Sequence, residues 1–580
     1  MFLRLRQEAD AALREALDGS GLAADLRREE LPENLLLEES EHADISSSIA
    51  FFLASRLKAS PKDIASRLVT HAADAVPEGG LISEVRAVGP YINFHASELF
   101  FQETLRRIRE EGCDFGGLGL KGRVILEHTS ANPDGPLHVG HLRNAIIGDV
   151  LARVLRKAGY EVETQYYVND MGRQIAVAVL GAERFGLDAS KKGDHAVVEA
   201  YVRASRELDT DESLRREAEA LMRRYEEGDP EAVEKYRRVV EKCLSGVKET
   251  LERLDIKHDR FVWESEFVRS GDVRRVLEAL RERGEVVEEG GALVLKLKCS
   301  EKDLVLQRGD GTSLYSTRDI AYHIWKSKLC DRMIDVLGKD HELVSKQLAE
   351  ALALLGVPPP DVVIFEFVSL PTGSMSTRAG KFVAVDELLD KVEEAALQEV
   401  EKRRPDMSEE QRRRVARVVG VGAVRYDIAK VSPEKPMVFD FEQALDIEKR
   451  GAPFIQYAHA RASSILRMAA ESGYVRRSDG DFSLPDFDAT LLSTESERTL
   501  IRELSKLDYV VEKVVRELKP HHLAKYGRVV AETFNRFYRD CPVLNAEPPL
   551  RNARLNLVYC TKVVLKETLR LLGIEAPEEM

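Results

Sequence analysis

Apolar residues recur at two different periods along the chain, and the change of period divides it into three parts. In the first part, residues 1–118, an amphipathic helix pattern is followed by a run of apolar residues at helical spacing: Ile45, Ile49, Phe52 and Leu53. Ser60 before Pro61 predicts another helix start, because Ser accepts free backbone amides and Pro fits the first turn. Strand-like segments then end in GPYINFH at 89–95. An α+β N-terminal domain is therefore expected.

The second part, residues 119–405, alternates between short apolar strands and longer amphipathic helices. Its first unit is a strand, a helix that stops at Gly159 and a second strand, in the segments VILEH (124–128), LHVGHLRNAIIGDVLARVLRKAG (137–159) and VETQYYV (162–168). Right-handed crossover makes these two strands parallel. Later strands at 333–338 and 362–370 are each followed by a helix pattern. The prediction is an α/β Rossmann-type parallel sheet with a ligand crevice at the carboxyl ends of its strands.

Two regions depart from that alternation. Between roughly 181 and 310 the pattern changes to charged helices and one hairpin-like segment, which we interpret as insertions in the sheet domain. Residues 406–580 are helix-patterned almost throughout, and Ser408 with Gln411 predicts a capping box at their first helix. The third domain is therefore expected to be all-α.

Composition limits the cellular location and the cofactors expected for this protein. The 580 residues contain no run of about 18 apolar residues, so no membrane span is expected. The six cysteines are scattered without a CxxC pair, which speaks against zinc and against a disulfide framework. The N-terminal helix pattern lacks the apolar core of an export signal, so a cytoplasmic location is expected.

Charge at first argues against a nucleic-acid partner. The formal net charge is −14, with 86 Lys and Arg against 100 Asp and Glu, whereas phosphate binding favours positive charge. The charge is unevenly divided, however: about −8 in 1–118, about −7 in 119–405 and about +1 in 406–580. A polyanion can therefore still bind through local basic patches.

The strongest chemical feature follows the first parallel strand, in the segment EHTSANPDGPLHVGH (127–141). A turn rich in Pro and Gly leads directly to a helix N-terminus, whose free amides suit a phosphate. His138 and His141 share one face of the first turn, and Gly140 leaves room for a flat group such as a nucleobase. Alone, the motif could be a chance match. A metal pair is a second alternative, but no further carboxylate or Cys ligand is near in sequence.

A second loop, PTGSMSTRAGK (371–381), follows a later parallel strand. It is small and basic, so it could fold over a triphosphate and stabilise charge as pyrophosphate leaves. Alone, an ordinary solvated loop is the simpler interpretation. The two loops strengthen one another, because both lie at carboxyl ends of strands in the predicted sheet.

These motifs carry a family resemblance. HVGH resembles the HIGH signature, and SMSTR the KMSKS signature, of class I aminoacyl-tRNA synthetases. Further segments resemble the arginyl-tRNA synthetase family over nearly the full chain: 44–54, 89–94, 127–149, 310–322, 374–381, 454–461 and the closing LLGIEAPEEM. The resemblance implies an arginine–tRNA ligase. Such an enzyme uses ATP to convert L-arginine to arginyl-adenylate, then transfers arginine to the 3′-terminal ribose of tRNA(Arg), releasing AMP and pyrophosphate.

The resemblance also implies the residues that bind ATP. His138, His141 and Lys381 are the expected catalytic residues. The expected ATP contacts add these positions: Gly140, Met375, Ser376 and Arg378. Magnesium is expected to accompany ATP, and no zinc is expected. Lysines of the signature are replaced by Ser374 and Ala379, and Asp134-Gly135 occupies the place where some members carry a compensating Lys. Arg378, Lys381 and magnesium remain as candidate sources of positive charge.

A guanidinium needs carboxylates, because its planar fork pairs with them bidentately. The residues that the resemblance assigns to arginine binding are Glu127, Ser130, Asn132, Tyr315, Asp319 and, on a less exact match, His341. Two alternatives stay open: Asp319 could form a salt bridge with Arg318 or another neighbour, and Tyr315 could be a core residue.

The resemblance assigns tRNA contacts to both outer domains. Asn93 is expected at the tRNA elbow, and the helical domain is expected to read the anticodon with residues that could equally be packing residues: Tyr457, His459, Arg461 and Tyr559. The partners are then tRNA(Arg), L-arginine and ATP, with no membrane, and the enzyme is expected to be a monomer. Two other functions remain: a class I synthetase for another amino acid, such as cysteine or lysine, and a non-catalytic tRNA-binding relative.

Overall fold

An antiparallel sheet packed on helices forms the N-terminal part of the computed structural model. The structure describes residues 1–22, 30–208, 211–300, 302–309, 311–369, 383–440, 443, 445, 451–478 and 481–580. The strands, in the spatial order β1-β2-β4-β3, are β1 (Leu37–Glu39), β2 (Ile45–Ser47), β3 (Ile82–Val88) and β4 (Tyr91–Ala96). The helices are α1 (Phe2–Ser20), α2 (Ile49–Leu57), α3 (Pro61–Ala75) and α4 (Glu98–Glu111).

The local predictions for this part are confirmed at one helix start and wrong at another. The Ser60 side chain accepts a hydrogen bond from the backbone amide of Asp63 and caps α3. Ile45, in contrast, is not helical: it lies on β2 and pairs with Phe94 of β4, so the helix begins only at Ile49. A strand partner far along the chain decided the conformation of Ile45, and helical spacing alone could not reveal it.

The middle part of the chain contributes eight strands to two sheets within the described residues. They are β5 (Arg123–Glu127), β6 (Glu161–Val168), β7 (Arg260–Trp263), β8 (Val286–Glu289), β9 (Ala292–Leu295), β10 (Leu304–Gln307), β11 (Arg332–Gly338) and β12 (Asp361–Phe365). The central sheet is parallel, with the order β12-β11-β5-β6-β7, and a smaller antiparallel sheet has the order β10-β9-β8. The predicted Rossmann-type fold is confirmed. One strand of the central sheet, β7, lies inside the range interpreted as insertions.

The strand order places a switch point between β5 and β11. From β5 the chain proceeds to β6 and β7 on one side, and it later returns to β11 and β12 on the other. In open α/β sheets the crevice at such a point binds ligands. The helices around the sheet are α5 (Val139–Ala158), α6 (Arg173–Phe185), α7 (Gly193–Leu208), α8 (Glu212–Glu226), α9 (Pro230–Arg253), α10 (Glu264–Arg269), α11 (Asp272–Glu282), α12 (Tyr315–Ser327), α13 (Glu342–Leu354) and α14 (Val385–Arg403).

The C-terminal part is a helical bundle, as predicted. Its helices are α15 (Glu409–Ala429), α16 (Ala452–Glu471), α17 (Glu495–Ser505), α18 (Leu507–Glu517), α19 (His521–Asp540) and α20 (Pro548–Leu571). The capping box of Ser408 and Gln411 at α15 is confirmed. Two short parallel strands, β13 (Val368–Ser369) and β14 (Met437–Val438), pair with each other, and β15 (Arg476–Ser478) pairs antiparallel with β16 (Asp481–Ser483).

Arg425 of α15 ties the bundle to the central sheet domain. Its buried guanidinium forms an ion pair with Asp149 of α5 and donates to the carbonyl oxygens of Leu254 (2.6 Å) and Leu572 (2.9 Å). Gly573 has a positive φ of 69°, and a Cβ there would lie 1.9 Å from this guanidinium. In the described residues, no helix has the length and apolar character needed to cross a membrane. All six cysteines are free thiols.

Candidate active site

The HVGH segment forms the N-terminus of α5 through a capping box made of two histidines. His138 is the N-cap, and its Nδ1 accepts from the backbone amides of Gly140 (3.1 Å) and His141 (3.4 Å). In return the His138 amide donates to Nδ1 of His141 at 3.3 Å. The two rings stack with their centroids 3.7 Å apart and an interplanar angle of 17°. The motif is therefore rigidly built before any ligand binds.

Burial keeps both histidines neutral. It lowers the pKa of His138, and it lowers the pKa of His141 well below its ordinary value, with the neighbouring His138 adding to the effect. A Cβ at Gly140 would lie 2.9 Å from Cε1 of His138. The His138 ring therefore lies directly beside Gly140, and any larger residue at position 140 would displace it.

The described residues on either side of the second predicted loop lie against the HVGH segment or the helix α5 that it begins. On its C-terminal side, Ala384 forms a β-bridge with His138, and the amide of Val385 donates to the carbonyl of Leu137 at 2.8 Å. On its N-terminal side, β13 packs near α5. The predicted residues Met375, Ser376, Arg378 and Lys381, with the departures Ser374 and Ala379, lie outside the described residues.

Arg143 of α5 fixes the N-terminal side of that loop. Its fully buried guanidinium donates to the carbonyl oxygen of Glu366 at 2.6 Å, and to three carbonyls before β14: those of Ser432 (3.0 Å), Pro433 (3.3 Å) and Lys435 (2.9 Å). One arginine, two residues after the HVGH motif, thus joins the helix, the loop's entry and the strand β14.

A buried chain of five ionisable groups occupies the crevice between β5 and β11. Nζ of Lys326 lies 3.1 Å from Oε2 of Glu127 and 2.7 Å from Oδ1 of Asp335. The other Asp335 oxygen lies 2.8 Å from Nε2 of His323, whose Nδ1 lies 3.0 Å from Oδ1 of Asp319. Asp319 is the most exposed member, with 30% of its side chain accessible. The chain therefore runs from the deep end of the crevice to its surface.

The charge states follow from these contacts. Burial lowers the pKa of His323, but Asp335 and Asp319 outweigh burial and raise the pKa to about 10. Burial also opposes ionisation of Asp335, yet Lys326 and His323 hold its pKa below the ordinary range. For Glu127, burial raises the pKa more than Lys326 lowers it. With every group ionised, three carboxylates face two cations, so the chain has a net charge of −1 that one guanidinium would neutralise.

The structure answers the two alternatives that the sequence left open for α12. Asp319 does pair with a neighbour, His323 at 3.0 Å, but not with Arg318, which lies 3.3 Å from Glu264. Tyr315 is 53% exposed at the first turn of α12, so it is not a core residue. Both side chains are therefore accessible on the face of α12 that begins at the crevice.

The remaining residues predicted for arginine binding lie at the carboxyl edge of the sheet. Ser130 donates to Oε1 of Glu127 at 3.1 Å and accepts from the amide of Tyr167 at 3.0 Å. The Asn132 side chain donates to Gln174 at 3.3 Å and accepts from Asn169 at 3.2 Å. His341 follows β11, is exposed, and has Asp340 at 3.5 Å. Ser130 thus joins the buried chain directly, while His341 is not part of it.

The predicted tRNA contacts fall into exposed and buried sets. Tyr457 is 41% exposed, and the Arg461 guanidinium lies over its ring at 4.7 Å. His459 is fully buried and bonded to the carbonyl of Pro577 at 2.9 Å, and burial lowers its pKa to about 4. The expectation of an anticodon contact by His459 is therefore corrected: its side chain packs inside the bundle. Tyr559 is half-buried against the core.

In the N-terminal domain, Asn93 lies on β4 and only 3% of it is exposed. It nevertheless borders an open depression of about 440 Å³, together with Tyr91, Val88 and residues of the Glu38–His42 segment. Asn93 therefore lines an opening that a ligand could enter.

Sequence reasoning missed His323, Lys326 and Asp335. A signal existed for all three. His323 and Lys326 follow Asp319 by four and seven residues, which places them on one face of α12. Asp335 is a charged residue in the middle of an otherwise apolar strand, β11. Such a residue is buried only with partners.

Three family models match successive parts of the chain. The model described as tRNA synthetases class I (R), catalytic domain, matches residues 116–441, the arginyl tRNA synthetase N-terminal domain matches 4–96, and the DALR anticodon binding domain matches 455–580. The parallel sheet with the HVGH helix at its switch point is thus the catalytic domain of a class I aminoacyl-tRNA synthetase. Within that class, the chain belongs to the arginyl-tRNA synthetase family.

Individual relatives agree over their full lengths. The chain is 49% identical to the arginine–tRNA ligases of Methanosarcina barkeri and Archaeoglobus fulgidus, with complete coverage of both chains in each case. Among solved structures, it is similar to the Thermus thermophilus arginyl-tRNA synthetase, with 30% identity, a TM-score of 0.82 and coverage of 99% of this chain and 100% of that one. The Plasmodium falciparum arginyl-tRNA synthetase shares the fold, with 18% identity, a TM-score of 0.80 and coverage of 100% and 99%.

Proposed function

We propose that the crevice between β5 and β11 is the site at which this arginine–tRNA ligase activates arginine with ATP. The family establishes the ligase activity and ATP as its substrate. The observation that supports the site is the buried chain of three carboxylates and two basic side chains next to the histidine-capped N-terminus of α5. A cationic amino acid and a nucleotide would meet where these two features adjoin.

Arginine would bind with its guanidinium between Glu127 and Asp319. Lys326 binds Oε2 of Glu127, so Oε1, which accepts from the Ser130 hydroxyl, can also face a ligand. Asp319 lies at the exposed end of the buried chain of ionisable groups. Each carboxylate can therefore offer one oxygen to the planar guanidinium. Tyr315, one turn before Asp319 and exposed, would cover the guanidinium face, a favourable cation–π arrangement. Ser130 and Asn132 would hold the amino-acid backbone, and His341 would contribute from the end of β11.

ATP would bind over the first turn of α5. The neutral rings of His138 and His141 present polar atoms without adding charge, while the helix N-terminus favours the phosphates. Gly140 would allow close approach of the backbone, and Met375, Ser376, Arg378 and Lys381 would contact ATP from the second loop. Magnesium would come bound to the phosphates, as it commonly does.

The chemistry then needs positioning more than covalent help from the protein. An oxygen of the arginine carboxylate attacks the α-phosphorus in line, the bond to the β-phosphate oxygen breaks, and pyrophosphate leaves with the electron pair. His138, His141 and Lys381 would stabilise that charge. In the second step, a hydroxyl of the terminal ribose attacks the carbonyl of arginyl-adenylate, the acyl–phosphate bond breaks, and AMP leaves with the electron pair. The hydroxyl proton passes to solvent or to the phosphate.

The substrate tRNA(Arg) would contact both outer domains. Tyr457 and Arg461, which are stacked on the surface of the bundle, suit an unpaired anticodon base, and Tyr559 lies on the last helix. Asn93 would meet the tRNA elbow through the depression that it borders. The division into domains at 1–118, 119–405 and 406–580, a monomeric state and a cytoplasmic location belong to the same proposal.

One assay tests the proposal against its alternatives. Purified enzyme is given total tRNA, ATP and each labelled amino acid in turn. Charging with arginine alone is the expected result. Charging with lysine or cysteine would favour another class I specificity, and no charging with any amino acid would favour a tRNA-binding relative without catalysis.

A further inference from the structure

The two carboxylates proposed to bind arginine are connected to each other through three buried side chains. Asp335 lies at the centre, and each of its oxygens binds a different cation: Oδ1 binds Lys326 at 2.7 Å and Oδ2 binds His323 at 2.8 Å. Each cation in turn contacts one of the two carboxylates proposed to bind arginine: Lys326 contacts Glu127, and His323 contacts Asp319. We call Lys326, His323 and Asp335 the positioning triad.

We propose that this positioning triad determines the specificity for a guanidinium, by holding Glu127 and Asp319 as two fixed and separately oriented carboxylates with one surplus negative charge. This inference rests on the proposed arginine site. It goes beyond that site because no residue of the triad would touch the substrate. The members of the triad are almost wholly buried: 0% of the Lys326 side chain, 2% of that of His323 and 3% of that of Asp335 is accessible.

The geometry of His323 supports the proposal. Nδ1 faces the backbone oxygen and Oδ1 of Asp319, at 2.9 and 3.0 Å, and Nε2 faces Asp335 at 2.8 Å. A neutral imidazole has one N–H and could donate to only one of these carboxylates. Both contacts are satisfied when His323 is an imidazolium. His323 is therefore a second fixed cation rather than a proton acceptor.

Lys326 explains why the site would favour a guanidinium over an ammonium. Its own ammonium already occupies the position between Glu127 and Asp335 where a compact point charge contacts two carboxylates. What remains for a ligand, within the described residues, is one oxygen of Glu127 and one of Asp319. Because these oxygens belong to separate side chains, a planar guanidinium can bridge them, whereas an ammonium has no such fork.

The charge balance predicts a pH signature for the loss of Lys326. Glu127 faces Lys326, His323, Asp319 and Tyr322 from α12, Asp335 from β11 and Tyr167 from β6. Burial already raises the pKa of Glu127, and Lys326 is the main group that lowers it. Without Lys326 the pKa of Glu127 rises further, so Glu127 is protonated at low pH and ionises as the pH increases. Arginine binding would then improve with increasing pH.

The test uses the full-length enzyme with tRNA, and it measures the KM for arginine and for ATP between pH 6.5 and 8.5. The variants are Lys326→Met, Lys326→Arg and Asp335→Asn for the triad and Asp319→Asn for the arginine site itself, with Lys157→Met as the control. Lys157 is also a lysine with a buried side chain in an ion pair, 3.0 Å from Glu567, but it lies at the opposite end of α5 from the HVGH motif.

For Lys326→Met we expect the arginine KM to increase about tenfold or more near pH 7, and to fall by up to about tenfold per pH unit as Glu127 ionises. The ATP KM should stay within about twofold of the wild-type value. Lys326→Arg should restore a flat pH profile, and Asp335→Asn should also raise the arginine KM by about tenfold. The control should leave both KM values unchanged.

Two results would overturn parts of the reasoning in distinguishable ways. If Lys326→Met and Asp335→Asn leave the arginine KM unchanged and flat with pH while Asp319→Asn raises it, the arginine site stands and the positioning triad is refuted. If Asp319→Asn also leaves the arginine KM unchanged, the proposed arginine site itself is refuted. Should Lys326→Met fail to fold, Lys326→Arg and Asp335→Asn decide, because an arginine KM that is wild-type in Asp335→Asn contradicts the triad.

Discussion

Replacing Asp319 by Asn removes one charge from the proposed arginine site and little else. The amide keeps the size of the carboxylate and can still accept a hydrogen bond from Nδ1 of His323, which lies 3.0 Å from Oδ1 in the wild-type protein. The substitution leaves Glu127, Lys326 and Asp335 in place. With all groups ionised, the formal charge of the five side chains in this buried chain changes from −1 to zero. The site thereby loses the negative charge that a guanidinium would neutralise.

The size of the effect follows from the exposure of the group. Two unit charges about 4 Å apart interact by about 4 kcal/mol at an effective dielectric constant of about 20. Since 30% of the Asp319 side chain is accessible, water screens part of this attraction. We therefore expect a loss of about 2–3 kcal/mol, which corresponds to a roughly 30- to 150-fold increase in the arginine KM.

The assay is steady-state charging of tRNA with labelled arginine, in which arginine and ATP are varied separately. Asp361→Asn is the matched control: Asp361 also pairs with a basic side chain, Arg332 at 2.7 Å, but it lies at the amino end of β12, the opposite edge of the sheet. An arginine KM for Asp319→Asn within about twofold of wild type would refute the charge argument. An equal increase in the ATP KM would instead indicate general damage to the site.

Four further substitutions probe the scaffold around the site. His138→Asn should retain the cap of α5, because Asn is a good N-cap residue. Both His138→Asn and His141→Ala should abolish adenylate formation, measured as arginine- and tRNA-dependent pyrophosphate exchange. Full exchange activity in either variant would contradict the role of the HVGH segment. Arg143→Met takes the guanidinium away from four carbonyl oxygens, of which those of Ser432 and Pro433 keep a backbone amide donor. It should lower the free energy of unfolding in urea by about 2–4 kcal/mol. Lys should rescue little because one ammonium cannot reach all four oxygens, and a loss below about 1 kcal/mol would contradict this. Burial lowers the pKa of His258 to about 4, so the folded state resists its protonation and stability falls as the pH drops below about 6.5. Between pH 7 and 5, the free energy of unfolding in urea should fall by about 2 kcal/mol more for the wild type than for His258→Gln. Equal decreases in the two proteins would refute the view that buried neutral His258 causes the pH dependence.

The parts of the fold predicted correctly depend on short-range patterns. The first βαβ unit was evident because its helix has an unbroken apolar stripe and a glycine stop at Gly159, which is indeed in the left-handed conformation. The interpretation failed at Ile45 and at β7, because there the conformation depends on strands elsewhere: β4 for Ile45, and β6 for the four residues of β7. A four-residue strand between charged helices has too little pattern of its own to be recognised.

The same distinction applies to the site. Glu127 and Asp319 could be placed by motif, and the spacing of His323 and Lys326 on α12 was visible in the sequence. What could not be seen was that Lys326 reaches Glu127 across 199 residues of chain, because only the parallel pairing of β11 with β5 brings the two together. His459 shows the reverse error: its motif position suggested a surface contact, whereas the packing of α16 against α20 and the C-terminal segment buries it.

The uneven charge of the chain makes a prediction about tRNA binding. Each phosphate that a protein neutralises contributes a slope of about −0.9 to the dependence of log K on log salt. With a net charge of −14 and a C-terminal part near neutrality, this enzyme cannot bind through a global positive field, so contacts must come from local groups such as the stacked Arg461. The acidic remainder would disfavour non-specific RNA. We therefore expect a shallow slope, equivalent to about two to four released counterions, in filter-binding measurements across a salt series. A slope equivalent to about eight or more would show that a broad basic surface exists, and would refute the view that the acidic charge restricts tRNA binding to a few local contacts.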